Sequence, residues 1–159
     1  MFNRRLKKDL QDRDDELFQL RQLVTQYDRG MLSICLDADM RLIAVNEDFA
    51  RTLGYSCEQL QGRLLSEIVP PYVRDLPCFR DFNAAVARSE PVSDDYRFLR
   101  SDGSLAWINL TWCPINARDG QLSQIRGYGI EVSRAIEQAK ENEAFINALI
   151  RSTAVIQFR

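Results

Sequence analysis

Four cysteines, two tryptophans and a pair of adjacent aspartates are the side chains with the most chemistry to offer. Cys35, Cys57, Cys78 and Cys113 never reach C-x-x-C spacing, and the chain contains no histidine. A zinc site of the Cys/His kind therefore has no ligand set, and the reading is reduced cysteines packed as small apolar groups, with no metal. Absence of histidine also removes the commonest general base and the usual proximal ligand of haem. Ser33, Ser56 and Ser104 have no imidazole to activate them. Asp94 and Asp95 are neighbours on a strand-like stretch, so their carboxylates point to opposite faces and read as solvated charges, not as an acid/base pair. Gly127-Tyr128-Gly129 is a lone G-x-G with no phosphate-binding helix behind it. No catalytic constellation emerges, so the chain is not read as an enzyme.

Composition narrows the partners. The 159 residues are 45% apolar and 28% charged, with a net charge of −2. That is a globular balance with no basic footprint for nucleic acid. No apolar run approaches the ~20 residues of a bilayer span, and the basic N-terminus has no apolar segment behind it. The expectation is a cytoplasmic protein without a membrane segment.

The elements follow from periodicity. Between Met1 and Arg29 there is no Gly or Pro, and Leu6, Leu10, Leu17, Leu20, Val24 and Tyr27 recur at spacings of three and four. Arg13 is the polar intruder. Residues 1–30 are read as a coiled-coil helix that makes a homodimer, or as a helix docked on a domain. Gly30 stops it. "MLSICLD" and "RLIAV" flank the tight turn "ADM" as a hairpin. Asn46 caps a short helix ended by Gly54, and Ser56 caps another ended by Gly62. "RLLSEIV" supplies one more helical turn. Pro77 to Arg88 is a longer helix with Phe79, Phe82 and Val86 on one face. Three strands follow: "VSDDYRFLR", "LAWINLTWCPI" and "LSQIRGYGIEVS". Residues 134–152 are helical again. The fold class is α+β, a five-stranded antiparallel sheet with short helices on one face and a long helix at each end.

Alternation sorts the fourth strand. Ile108, Leu110 and Trp112 share the apolar face and should look toward the helices. Trp107, Asn109, Thr111 and Cys113 share the other. Trp107 is too large to stand bare, so it is expected to pack under the N-terminal helix or a partner subunit. One internal echo aligns "RGMLSICLD" with "RSTAVIQFR". It predicts that residues 153–159 begin the first strand of a second copy of the unit, in a longer tandem protein.

Three stretches carry a family resemblance. "LDADMRLIAVNEDFARTLGYSCEQLQG", "CFRDFNAAVARSEPVSDDYRFLRSDGS" and "WINLTWCPINARDGQLSQIRGYGIEVS" in this order resemble the PAS family of sensory domains, over residues 31–133. The variety resembled is that of cytoplasmic tandem-PAS chemoreceptors. The resemblance implies a sheet cupped around a pocket roofed by the short helices. It implies sensing, with signals passed through the flanking helices to a downstream domain of the same chain, such as a chemotaxis output. A ligand-free dimerisation domain of a histidine kinase or a cyclic-dinucleotide enzyme is the alternative. Light-sensing relatives carry an Asn-Cys-Arg-Phe-Leu run, and here "GRLLSEIV" stands in its place, so flavin photochemistry is disfavoured. Flavin itself stays open, as does a small apolar or aromatic ligand. Haem is disfavoured for want of histidine.

The same resemblance places Ile125, Gly127 and Gly129 on the inner face. The two glycines would leave room beside Trp112, with Phe79, Phe82 and Val86 as the roof and Ile108 and Leu110 below. These residues either line a ligand pocket or simply fill the core.

Overall fold

Turn chemistry divides the chain. The computed structural model describes residues 2–157, with side chains described through residue 154. The first helix, α1 (Phe2–Gly30), ends at its glycine. β1 (Leu32–Asp37) and β2 (Leu42–Val45) pair antiparallel. Between them the Asp37 carboxylate accepts the backbone N–H groups of Asp39 and Arg41 at 2.8 and 3.0 Å. This Asx turn holds Met40 in the left-handed region at φ 65°.

Short helices follow, each with its own start and stop. α2 (Glu47–Leu53) is capped by Asn46 and closed by Gly54 at φ 77°. α3 (Cys57–Leu60) starts in a capping box between Ser56 and Gln59. Two 3₁₀ turns, Leu65–Glu67 and Pro71–Asp75, lead to α4 (Pro77–Arg88), which opens on proline. β3 (Val92–Leu99), β4 (Leu105–Asn116) and β5 (Leu122–Glu131) are joined by tight turns at Gly103 and Gly120.

The five strands form one antiparallel sheet in the order β2-β1-β5-β4-β3. This is the α+β architecture expected from the sequence. One face of the sheet is covered by α2 to α4 and carries the core. Along β4, Ala106, Ile108, Leu110 and Trp112 are buried while their neighbours are only partly covered. Leu36, Phe49, Leu53, Leu60, Phe82 and Phe98 complete the same apolar cluster.

A long helix precedes the sheet and another follows it. α1 buries no residue. α5 runs from Ser133 to Gln157, so the strand predicted to begin at residue 153 is not formed over 153–157. No glycine or proline interrupts 133–157, and an established helix extends residue by residue at little cost. Phe158 and Arg159 of that predicted strand lie outside the described residues. Among the described residues no helix is long and apolar enough to cross a membrane.

Candidate functional site

The inner face of the sheet gathers the predicted ligand residues. α4 lays Phe79 against Tyr96 of β3 and Phe82 against Trp112 of β4. The rings form one cluster: Phe82 to Trp112 at 5.1 Å in a tilted contact, and, edge-on, Phe79 to Phe82 at 5.8 Å and Tyr96 to both Phe79 and Trp112 at 6.1 Å. Ile108 and Leu110 are fully buried beneath it. Val86, one turn further along α4, packs only partly against the core.

The glycines do not leave the room expected of them. Ile34, Gly127 and Trp112 face one another across β1, β5 and β4. A Cβ on Gly127 would stand 2.9 Å from Ile34 Cγ2 and from the Trp112 ring. The bare backbone therefore lets Trp112 lie across β5, and Trp112 with Ile34 takes up the space. At Gly129 a Cβ would run into the backbone carbonyl of Asn109. That glycine is required by close strand approach rather than by a cavity. Space remains between the roof and the helical turns, as a pocket of about 230 Å³ lined by Met40, Leu65, Val69, Phe79 and Phe82, with Arg74 and Asn83 at its rim.

One interior residue escaped the sequence reading. Tyr96 is 1% exposed, and its hydroxyl finds no hydrogen-bond partner among the described residues. Desolvation pushes its pKa well above the ordinary tyrosine value, with Asp94 and Cys78 adding to the rise. Its place on the inward parity of β3, two residues before buried Phe98, was the available signal.

The cysteines are all free. Burial raises the thiol pKa of Cys35, Cys78 and Cys113, which keeps them as thiols at neutral pH. Among the described residues no group of three or more Cys, Asp or Glu is placed to hold a metal ion.

The flanking helices are tied to the domain by polar joints. Asn46 does more than cap α2. Its Oδ1 accepts from the N–H groups of Phe49 and Ser33 at 2.9 and 3.2 Å, and its Nδ2 donates to the carbonyls of Asp28 and Met31 at 2.8 and 2.7 Å. One side chain thus links the end of α1, β1 and α2. At the other end, the Ser133 hydroxyl accepts from the Trp107 N–H at 2.9 Å, and Val132 N–H donates to the Trp107 carbonyl at 2.8 Å. Arg100 pairs with Glu131 at 2.8 Å beside them.

Trp107 lies under the C-terminal helix, not under α1. Its ring has the Arg97 guanidinium at 4.4 Å and the Lys140 ammonium of α5 at 5.7 Å. The strand order explains the difference: α5 leaves the end of β5 and turns back over its neighbour β4. α1 instead reaches the sheet with its last turns, where Tyr27 packs on Tyr128 at 5.3 Å and Val24 lines the same seam. Leu6, Leu10, Leu17 and Leu20 stand about half exposed along the rest of α1.

Comparison with known proteins agrees with this geometry. The family profile described as the PAS fold matches residues 42–128. Biofilm dispersion protein BdlA of Pseudomonas aeruginosa is 25% identical over 131 residues, which cover 82% of this chain and 31% of that protein. The chain thus spans about a third of the length of this relative. Among solved structures, a PAS domain of a Colwellia psychrerythraea protein superposes with a TM-score of 0.64 at 22% identity, covering 72% of this chain and 98% of that one. An RNA-binding light-oxygen-voltage receptor gives 0.62 at 20% identity, covering 84% and 38%.

Proposed function

This chain belongs to the PAS fold family, and on that premise we propose that it is a sensory module without catalytic activity, which takes a small molecule beside Phe79 and Phe82 of α4. The observation that carries the reading is the unpartnered Tyr96 hydroxyl among Phe79, Phe82 and Trp112. A buried hydroxyl without a partner costs about 1–3 kcal/mol, so native interiors rarely keep one without a use. A flat or apolar ligand bearing one polar atom would satisfy it. Flavin is one candidate of that kind.

The signal would leave through the two joints already described. Asn46 holds the end of α1, and Ser133 holds the start of α5. A ligand that shifts Trp112 acts on the same strand that carries Trp107, so two packings of β4 against α5 could be biased from inside. The output we assign is a downstream chemotaxis-type signalling domain, following the likeness of residues 31–133 to chemoreceptor PAS domains. The active form we assign is a homodimer through α1.

Mass spectrometry of the purified protein after denaturation tests the reading. Release of one stoichiometric small molecule, lost in Tyr96→Phe, is the expected result. A second reading has its own support: Trp112 and Ile34 fill the space above Gly127, as in a domain that only dimerises. Colourless protein that releases nothing, and that gains no thermal stability from any ligand screened, would favour it.

A further inference from the structure

The outer face of the sheet holds a second cavity that the sensory reading of the interior does not use. It lies between the last turns of α1 and strands β4 and β5, with a volume of about 430 Å³. That is within the range of small-molecule sites. Leu23, Val24 and Tyr27 wall it on the helix side, and Thr111 and Ile115 on the sheet side. Arg126 supplies the charge at one edge.

The environment of Arg126 decides what the cavity takes. Its guanidinium donates to the Tyr128 hydroxyl at 3.3 Å and to Gln124 Oε1 at 3.4 Å. It makes no ion pair among the described residues, where the pairs are Arg51 with Asp48 and Arg100 with Glu131. Asp28 and Arg126 both line the adjoining polar hollow on the outer face, without closing on one another. A half-buried guanidinium with only weak neutral partners is a ready anchor for a carboxylate, through charge-assisted hydrogen bonds. The walls beside it are apolar.

We propose that this cavity binds an amphipathic monocarboxylate, an acid with a compact aliphatic or aromatic body, whose carboxylate meets Arg126 and Tyr128 and whose body lies between α1 and β4. Such a ligand would bridge the helix and the sheet, and so would set the angle at which α1 leaves the domain. A docked helix of a second copy is a poorer occupant. An apolar helix face would leave the Arg126 guanidinium, which has no ion pair among the described residues, without an anionic partner.

Isothermal titration of the 159-residue chain with octanoate, octanamide and propionate tests this, each probe below its aggregation concentration. Octanoate is expected to bind, with octanamide (no charge) and propionate (little body) each at least tenfold weaker. Arg126→Gln is expected to bring octanoate down to the level of octanamide. In NMR spectra, octanoate is expected to shift Thr111 and Tyr128, not the Trp112 indole. Equal binding of acid and amide, no octanoate binding, retention of affinity in Arg126→Gln, or shifts centred on Trp112 would each overturn the proposal. So would loss of binding at concentrations where the chain dimerises, since a second copy would then fill the groove. Tyr96→Phe is expected to leave octanoate binding unchanged, which separates this site from the interior one.

Discussion

The backbone N–H of Trp107 and the hydroxyl of Ser133 stand 2.9 Å apart, and that hydrogen bond ties the start of β4 to the first residue of α5. Ser133 is 7% exposed, so little water can replace it. Arg100 approaches the same oxygen at 3.4 Å while pairing with Glu131. The joint is therefore a small polar cluster rather than an apolar contact.

Ser133→Ala leaves the Trp107 N–H unpaired. The expected cost is about 1–3 kcal/mol, read from urea unfolding. Amide exchange at Val132 and in the first turn of α5 should speed up before the sheet is affected. Glu131→Gln should cost less, under ~1 kcal/mol, because that ion pair is partly exposed. If Ser133→Ala matched the parent in both stability and exchange, the joint would not be what holds α5.

Tyr96→Phe should act in opposite ways at neutral and at alkaline pH. Near pH 7 it removes an unpartnered hydroxyl, so the ligand-free protein should be unchanged or gain up to ~1 kcal/mol. Folding raises the Tyr96 pKa. Above the ordinary value near 10, the unfolded chain therefore releases a proton that the folded chain keeps. Wild-type stability must then fall as pH rises, by up to ~1.4 kcal/mol per unit from this group. In Tyr96→Phe that slope should be absent. Parallel stability-versus-pH curves for the two proteins between pH 9 and 11 would mean that the phenol is not desolvated.

Gly127→Ala and Gly129→Ala should differ in severity. At Gly127 the new methyl would stand 2.9 Å from two buried side chains, Ile34 and the Trp112 ring, so one of them must move. A loss of about 1–3 kcal/mol is expected. At Gly129 it meets the backbone of Asn109, which cannot yield without parting β4 from β5. That variant should lose more, or fail to fold. Chemical denaturation orders the two, and a Gly129→Ala protein as stable as its parent would overturn the close approach of those strands.

Periodicity made most of this legible. The two tryptophans lie an odd number of residues apart, and an unbroken strand sends Trp112 inward and Trp107 outward, as found. Caps at Asn46 and Ser56 and stops at Gly30 and Gly54 fall where local chemistry dictates. What alternation could not supply is which element covers a face. That depends on strand order, so alternation points Trp107 to α1 or a partner subunit, whereas β4 sits under α5. Nor could it show that Trp112 itself would fill the space above Gly127, because a glycine fits a cavity and a close ring equally well. Asn46 was visible as a cap, but its second pair of bonds joins residues brought close only by the fold.

α1 poses a last question of stability. Among its described residues none is buried, and Leu6, Leu10, Leu17 and Leu20 stay about half exposed along one stripe. A long helix gains most of its stability from packing an apolar face, so this stripe should be closed by the same stripe of a second copy. Leu20→Glu would set two like charges into that seam. Sedimentation should show a dimer for the parent and a monomer for the variant, with helix content lost from the α1 region and the sheet signal intact. The apolar residues Phe145, Ile146, Leu149 and Ile150 of α5 form a rival stripe. A Leu20→Glu protein that remained dimeric would place the seam there, and Ile146→Glu would then be the variant that separates the copies.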